Sequence, residues 1–301
     1  MRKTITILFF AAIALNVNAQ KTKNIFNGKN LRGWEVLNGT AEFKVEDGAI
    51  VGVSTMSTPT TFLATKKEYT NFILEYEYII GEGLNSGVQI RSHNTKDNHF
   101  YGLQVEADDS KRAWSGGLYE QGRKGWRYPL EYNPSAKTAT KKSGQWNKVK
   151  VIAFEHHVAT WINGVNVSNI LEETVEKGFF ALQIHSIGKS IGKAGKLNKW
   201  RNIKVTELKK APEFGDLTAP QVSYLTNTLT EDQVKDGWKL LWDGKTTQGW
   251  RGAKRDDFPN KGWSIKDGVL TVHASGGGES EHGGDIVVCF CSLIFFKILI
   301  S

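Results

Sequence analysis

The chain has 301 residues, 40% of them hydrophobic, which is enough to build a substantial core. Its formal net charge of +8 raises nucleic acid as a partner. However, the lysine clusters at 137–142 and 189–199 lie in loop-like segments without a nucleic-acid-binding motif, so no nucleic-acid partner is predicted. The 31 glycines, 15 Phe and 10 Trp favour β structure over helical bundles.

The N-terminus has the three parts of a secretory signal peptide. Basic residues at positions 2 and 3 precede an apolar run over 5–15, and Val17-Asn18-Ala19 offers a small-residue cleavage site. The run is shorter than the roughly 20 residues that span a bilayer. We therefore predict a signal peptide over 1–19 and export to the periplasm or the extracellular space, with no membrane span in the mature first domain.

Five segments between residues 72 and 187 are rich in β-branched and aromatic residues, which is typical of strands. They are 72–80, 85–92, 100–108, 147–164 and 179–187. Asn163-Gly164, at the end of the fourth segment, is the strongest short signal for a hairpin turn. No helical period extends beyond about ten residues. We therefore predict an all-β, antiparallel sandwich.

The start of the fold occurs twice in the chain. The segment FNGKNLRGW at 26–34 returns as WDGKTTQGW at 242–250, and FKVEDGAIV at 43–51 returns as WSIKDGVLT at 263–271. The predicted organisation follows from this repeat. A complete first domain covers 24–208, a linker 209–235, a truncated second copy 236–288, and an apolar, aberrant tail 289–301.

Strand alternation predicts a polar face shared by four of the strands. Its members are Glu75, Glu77, Asn85, Gln89, Arg91, Gln104, Glu106, Asp108, Gln183 and His185. Planar amides, carboxylates and guanidinium groups suit pairs of sugar hydroxyls, so this face is a candidate carbohydrate site. The alternative is an ordinary face that meets only water.

The segment 112–135 after the third strand is long for a connection in a compact domain, and such loops often carry function. It contains Trp114, Tyr119 and Trp126, whose ring faces could stack on the C–H faces of sugars. They are therefore predicted substrate-binding residues. The alternative is a satellite core beneath the loop.

Glu106 and Asp108 form a pair of carboxylates about 7 Å apart on one strand face. Such a pair can divide the acid and base roles of a hydrolase. Sandwich-fold glucanases place a third carboxylate two or three residues further on, where this chain has Ser110 and Lys111. A laminarinase-like glucanase is therefore disfavoured.

His185 has a side chain suited to proton transfer near neutral pH. The chain has no metal-ligand spacing such as His-x-x-x-His, so no metal site and no cofactor are predicted. A divalent cation held by residues from separate strands stays open.

Several motifs in order resemble the 3-keto-disaccharide hydrolase family over residues 24–208. They are 25–34, VEDGAIVG at 45–52, NSGVQIRS at 85–92, YGLQVEADDS at 101–110, GGLYE at 116–120, WINGV at 161–165, LQIHS at 182–186 and WRNIKV at 200–205. The resemblance implies a concanavalin-like jelly roll whose concave sheet holds the active site. It also implies an oligosaccharide or 3-keto-glycoside substrate, cleaved by proton abstraction at C2, elimination of the aglycone and hydration.

This chemistry needs a base, a stabiliser for the enolate oxygen and an acid for the leaving group. We expect His185 or Glu106 to be the base and Arg91 to stabilise the enolate. Asp108 or Glu75 would orient or protonate, and Gln89, Gln104 and Gln183 would hold hydroxyls. The competing class is a non-catalytic, lectin-like carbohydrate-binding module, because jelly rolls host both.

Overall fold

The computed structural model describes residues 21–274 and 283–288. The predicted signal peptide and the predicted apolar tail therefore lie outside the described residues. No helix in the described ranges is both long and apolar enough to cross a bilayer.

Seven strands form the smaller of two main sheets. In spatial order they are β10 (Gly125–Tyr128), β9 (Leu118–Gln121), β8 (Phe100–Asp108), β7 (Asn85–Asn94), β14 (Gly178–Ile184), β5 (Thr61–Tyr69) and β2 (Trp34–Leu37). All neighbouring pairs are antiparallel.

Nine strands of the described chain form the larger sheet. In spatial order eight of them are β16 (Val222–Ser223), β13 (Val165–Leu171), β12 (His157–Ile162), β11 (Asn147–Phe154), β6 (Phe72–Ile79), β15 (Leu197–Glu207), β4 (Ala49–Val53) and β3 (Phe43–Glu46). The ninth, β1 (Thr22–Asn24), also pairs with β15.

The core lies between the two sheets because each strand turns its apolar residues inward. In β6, buried Leu74 and Tyr76 flank exposed Glu75, and in β8 Leu103 and Val105 belong to the same core. The one α-helix of the described residues, α1, covers only Glu231–Lys235, and two 3-10 turns cover Pro134–Thr138 and Ile191–Lys193. The predicted all-β, concanavalin-like jelly-roll sandwich is confirmed.

Two tight turns follow from local sequence. Asn163 and Gly164 both have positive φ, at 50° and 90°, and they join β12 to β13. Asp47 and Gly48, at 49° and 73°, join β3 to β4 in the same way. Two central residues with positive φ match the twist of the strands, which explains the predicted hairpin at Asn163-Gly164.

The predicted linker makes several contacts with the sandwich. Val222 and Ser223 add a parallel strand to β13. Just before them, Ala219 donates its N–H to Asn166 Oδ1 at 2.8 Å. The Tyr224 hydroxyl donates to the carbonyl oxygen of Arg127 at 2.6 Å. Residues 219–224 therefore cover the outer edge of the larger sheet.

The segment after α1 forms two small sheets of two strands each. One pairs β17 (Trp250–Gly252) with β20 (Ile286–Val288), and the other pairs β18 (Trp263–Lys266) with β19 (Val269–Val272). Trp250 Nε1 donates to the carbonyl of Leu241 at 2.8 Å, as Trp34 Nε1 donates to that of Ile25 at 3.1 Å. The two bonds are 216 residues apart, which is the offset of the sequence repeat.

Candidate functional site

A row of polar and aromatic side chains crosses the outer face of the smaller sheet. In the antiparallel register Gln89 lies opposite Gln104, Gln104 opposite Tyr119, and Tyr119 opposite Trp126. Directly opposed residues share a sheet face. The structure therefore brings together four residues that the sequence predicted to bind substrate.

The glutamines form a connected network on this face. Gln104 Oε1 accepts hydrogen bonds from Gln89 Nε2 at 2.7 Å and from Gln183 Nε2 at 2.6 Å. All three side chains are buried, and Gln183 Oε1 has no hydrogen-bond partner among the described residues. Gly87 makes the network possible, because a Cβ there would lie 2.5 Å from Gln104 Cγ.

Glu106 extends the network toward the end of β8. Its Oε2 accepts from Gln104 Nε2 at 2.7 Å, and its Oε1 accepts from Asn85 Nδ2 and, at 2.9 Å, from Arg112 Nη2. Burial raises the pKa of Glu106 to about 7, although the donors and Arg112 favour the ionised form. A carboxyl group with this pKa can take up or release a proton near neutral pH.

Asp108 organises the turn that follows β8. Its Oδ1 accepts from the backbone N–H of Ser110 at 3.0 Å, and its Oδ2 accepts from the backbone N–H of Trp114 at 3.2 Å and from Arg112 Nε at 2.8 Å. Burial alone would raise the pKa of Asp108, but hydrogen bonds from Arg112 and Ser110 lower it below its usual value. The two predicted catalytic carboxylates thus have pKa values shifted in opposite directions.

Arg112 is the functional candidate that sequence reasoning missed. Its guanidinium lies 4.6 Å from the ring centroid of Trp114 and 4.9 Å from that of Trp126, while it bonds both Glu106 and Asp108. The position of an arginine four residues after Asp108, inside the aromatic loop, is the signal that could have found it. Trp114 and Trp126 meet edge to face at 4.6 Å, so they support this guanidinium.

Arg91 does not reach the polar cluster, so its predicted place on this face is wrong. A register shift interrupts β7 between Ile90 and His93, and Arg91 has a φ of 48°. This bulge turns the side chain toward the sandwich end, where Nε donates to the carbonyl of Thr70 at 2.7 Å and Nη1 to that of Glu155 at 2.9 Å. Burial lowers the pKa of Arg91 to about 10. Its contacts are therefore structural.

Glu75 also lies elsewhere, contrary to the prediction of one polar face for four strands. It belongs to β6 in the larger sheet, where it is exposed between Lys150 of β11 and Lys204 of β15. Alternation assigned its face correctly within the strand, but it did not show which sheet the strand joins.

His185 lies just beyond the end of β14 and is exposed. Its Nδ1 is 2.8 Å from the carbonyl oxygen of Ser186. Continuing the register of Leu182 with Val88 by three residues would place His185 opposite Asn85, the donor to Glu106. The catalytic role of His185 stays a prediction.

A small cavity lies away from this cluster. Its volume is about 20 Å³, and Arg91, Leu103, Glu120, Arg123, Val158, Glu172, Thr174 and Glu176 line it. That volume corresponds to about one water molecule. In the described ranges, no group of three or more His, Cys, Asp or Glu residues is arranged to hold a metal ion.

Comparisons with known proteins agree with the sequence resemblance. The family described as the 3-keto-alpha-glucoside-1,2-lyase-like domain matches residues 21–206, more than half of the chain. A 3-keto-disaccharide hydrolase of Bacteroides thetaiotaomicron is 46% identical over 54 residues, a segment that spans 17% of this chain and only 18% of the relative.

Two bacterial proteins are among the solved structures to which this chain is similar. A Parabacteroides distasonis protein described as a glycosyl hydrolase is 21% identical, with a TM-score of 0.47, and the match covers 64% of this chain and 95% of that one. The carbohydrate-binding module CBM66 of Bacillus subtilis is 15% identical, with a TM-score of 0.42, over 58% and 96% of the two chains. The match over 21–206 shows that this chain belongs to the 3-keto-disaccharide hydrolase family.

Proposed function

We propose that the chain is a carbohydrate-active enzyme that cleaves 3-keto-glycosides on the outer face of the smaller sheet. The observation that carries the proposal is Glu106, a buried carboxyl group whose pKa is about 7 and whose oxygens are fixed by Asn85, Gln104 and Arg112. Family membership supplies the substrate class. The amides around Glu106 supply the hydrogen-bonding groups that a sugar ring requires.

The reaction follows from the acidity of a hydrogen next to a ketone. Glu106 takes the proton from C2, and the electron pair of the C2–H bond forms an enolate whose charge lies on the oxygen at C3. The enolate then expels the aglycone from C1, which leaves as an alcohol after receiving a proton, and a C1–C2 double bond remains. Water adds across this bond to give the free 3-keto-sugar, so the sum is hydrolysis.

His185 is the second candidate for proton transfer. Its exposed position near the end of β14 suits an acid that protonates the departing aglycone at the rim of the site. Asp108 is held ionised by its donors, so its part in the proposal is to orient Arg112 rather than to exchange a proton.

The activity is tested by incubating the protein with 4-nitrophenyl 3-keto-glucoside and with its unoxidised parent. We expect release of nitrophenol from the keto form only. Release from neither substrate, in both anomeric series, would contradict the enzyme proposal. Binding of unoxidised glycans without turnover would favour the lectin-like alternative.

The base is identified by exchange of the C2 hydrogen of a 3-keto-sugar in D2O, followed by NMR. Exchange should disappear in Glu106→Gln and persist in His185→Ala if Glu106 is the base. The reverse pattern would assign the base to His185. Glu75→Gln is the matched control, because Glu75 is an exposed glutamate on the other sheet.

We also propose that the protein is exported, as the N-terminal sequence indicates. The three-part pattern of residues 1–19, typical of a signal peptide, supports this proposal. N-terminal sequencing of the protein from its cells should find Gln20 first, and a retained Met1 would contradict cleavage.

The proposed second copy of the fold start covers 236–288. Support comes from the shared offset of 216 residues, at which Asp243 Oδ1 accepts from the N–H groups of Lys245 and Thr246 as Asn27 Oδ1 accepts from those of Lys29 and Asn30. A variant that ends at residue 235 should keep the wild-type melting temperature of the first domain. A large decrease would show that the first domain depends on this segment.

A further inference from the structure

The polar cluster presents one charged group to a solute. The side chain of Arg112 is 36% exposed, whereas those of Glu106 and Asp108 are only 3% and 2% exposed. Any ligand that settles on this face therefore meets the guanidinium before it meets either carboxylate. Stabilising the enolate oxygen, which is the role predicted for Arg91, requires a cation on this face.

Arg112 keeps most of its hydrogen-bonding capacity for a ligand. A guanidinium has five N–H groups. The Nε group donates to Asp108 Oδ2 at 2.8 Å, and one Nη2 hydrogen is directed to Glu106 Oε1 at 2.9 Å. Among the described residues Nη1 makes no hydrogen bond, so both of its hydrogens and the second hydrogen of Nη2 stay available.

The guanidinium is also fixed before a ligand arrives. The indoles of Trp114 and Trp126 lie 4.6 and 4.9 Å from it, and Asp108 closes the turn from which Arg112 projects. Ala113, the next residue, has a φ of 53°, and its N–H bonds the carbonyl of Ser110 at 3.0 Å. A donor held in place this way loses little entropy when it binds.

Proton transfer to Glu106 would change what Arg112 is paired with. Once Glu106 is protonated, its ion pair with Nη2 weakens, and the negative charge has moved to the oxygen at C3 of the sugar. The guanidinium can then pair with the enolate oxygen instead of the carboxylate while it keeps its contacts with the two indoles. A cation fixed in this way stabilises a developing oxyanion much more than it stabilises a neutral hydroxyl group.

From this geometry we infer that Arg112 is the specificity-determining residue of the site, and that its free Nη groups bind the ketone oxygen at C3 and select 3-keto-sugars over their alcohols. The inference rests on the proposed function for its substrate class. Asp108 acts as a positioning residue, because it touches Arg112 and the turn that carries it.

The test compares Arg112→Gln and Arg112→Lys with a matched control on the opposite sheet. Arg201 also has a carboxylate and an indole as partners, with Nε 2.7 Å from Glu77 Oε2 and the guanidinium 3.9 Å from the Trp146 ring centroid. Its side chain is 39% exposed, close to the value for Arg112. Arg201→Gln therefore removes a similar cluster without touching the site.

Binding is measured calorimetrically with a carbon-linked methyl glucoside in its 3-keto and unoxidised forms, neither of which has an aglycone oxygen on C1 that could leave. The wild-type protein should prefer the keto form. Arg112→Gln should lose this preference, and with a cleavable 3-keto-glucoside its kcat/KM should fall by about 100-fold or more, as when one oxyanion donor is removed. Arg112→Lys should retain an intermediate preference, because its charge stays but its planar fork is lost. Arg201→Gln should match the wild type.

The outcomes separate this inference from the proposed function. Arg112-dependent preference for the ketone without turnover would support the inference and overturn the enzyme proposal. Turnover with an unchanged preference in both Arg112 variants would overturn the inference and leave the enzyme proposal standing. No preference for the keto form in the wild-type protein would also overturn the inference. Arg112→Lys keeps the test valid if Arg112→Gln fails to fold.

Discussion

The two sheets carry similar clusters of an arginine, an indole and a carboxylate on their outer faces, yet the environments differ. On the larger sheet Arg201 pairs with Glu77, whose side chain is 15% exposed, and Lys148 stands opposite Glu77 across the strands. On the smaller sheet Arg112 pairs with Glu106, whose neighbours are the amides of Asn85 and Gln104.

The comparison shows that burial decides the direction in which the pKa of each arginine-paired glutamate is shifted. Partial burial of Glu77 tends to raise its pKa, but hydrogen bonds from Arg201 and Asn202 lower it below the usual value. The deeper burial of Glu106 outweighs its donors and raises its pKa to about 7. Lysines are suited to a solvent-exposed face, whereas amides can donate hydrogen bonds to a buried carboxylate without adding charge.

The largest expected difference between the two faces is in turnover. Glu106→Gln should lower kcat for a 3-keto-glycoside by about 10²–10⁴, which is the usual contribution of general acid–base catalysis. Glu77→Gln should change kcat by less than about twofold, since Glu77 lies on the other sheet. Steady-state kinetics with both purified variants measures this, and equal losses would remove the distinction between the faces.

A smaller effect is expected from Asp108→Asn. The change removes an ion pair to Arg112 while keeping the side-chain size, and a hydrogen bond to a charged group contributes about 1.5–3 kcal/mol. We expect kcat/KM to fall by roughly 10- to 100-fold, with a reduced preference for the ketone. Asp109→Asn is the control, because Asp109 accepts from the Gly83 N–H instead. An unchanged kcat/KM in Asp108→Asn would contradict the positioning role.

The pKa of Glu106 also predicts a pH profile. A base must be ionised, so kcat/KM should rise with pH and level off above about 7. The raised pKa has the opposite effect on stability, because the folded state holds the proton more tightly than the unfolded chain. Relative to Glu106→Gln, the wild-type free energy of unfolding should fall by up to about 3 kcal/mol between about pH 4.5 and about pH 7. Denaturant titrations of both proteins measure this, and parallel profiles would show that Glu106 has an ordinary pKa.

The smallest effect on catalysis is expected at Arg91, whose change should affect stability instead. Arg91→Met leaves the carbonyls of Thr70 and Glu155 without their donors in a buried place. The free energy of unfolding should fall by about 2–4 kcal/mol, while kcat per folded molecule stays near the wild-type value. A kcat loss as large as that of Glu106→Gln would show that Arg91 takes part in catalysis.

Much of the fold and part of the site follow from sequence periodicity. The period of two placed Gln89, Gln104 and Glu106 on one face, and the Asn-Gly dipeptide marked its hairpin, because both depend on neighbours along the chain.

The remaining site residues depend on geometry that periodicity does not contain. Arg91 left the predicted face because a bulge with positive φ reverses the alternation. Alternation correctly predicted that Glu75 points away from the core, but its strand belongs to the larger sheet and not to the sheet of the polar cluster. Arg112 sits in a turn, where no period applies, and its importance comes from two indoles and two carboxylates that meet only in the folded chain.

The short parallel strand at Val222–Ser223 has a consequence for where the folding unit ends. The family match stops at residue 206, and β15 ends at Glu207, yet the edge of β13 is sealed by residues further along. Trimming the chain at either boundary would expose a row of unpaired backbone groups, which invites edge-to-edge association. An isolated first domain should therefore extend to Tyr224, beyond the end of the family match.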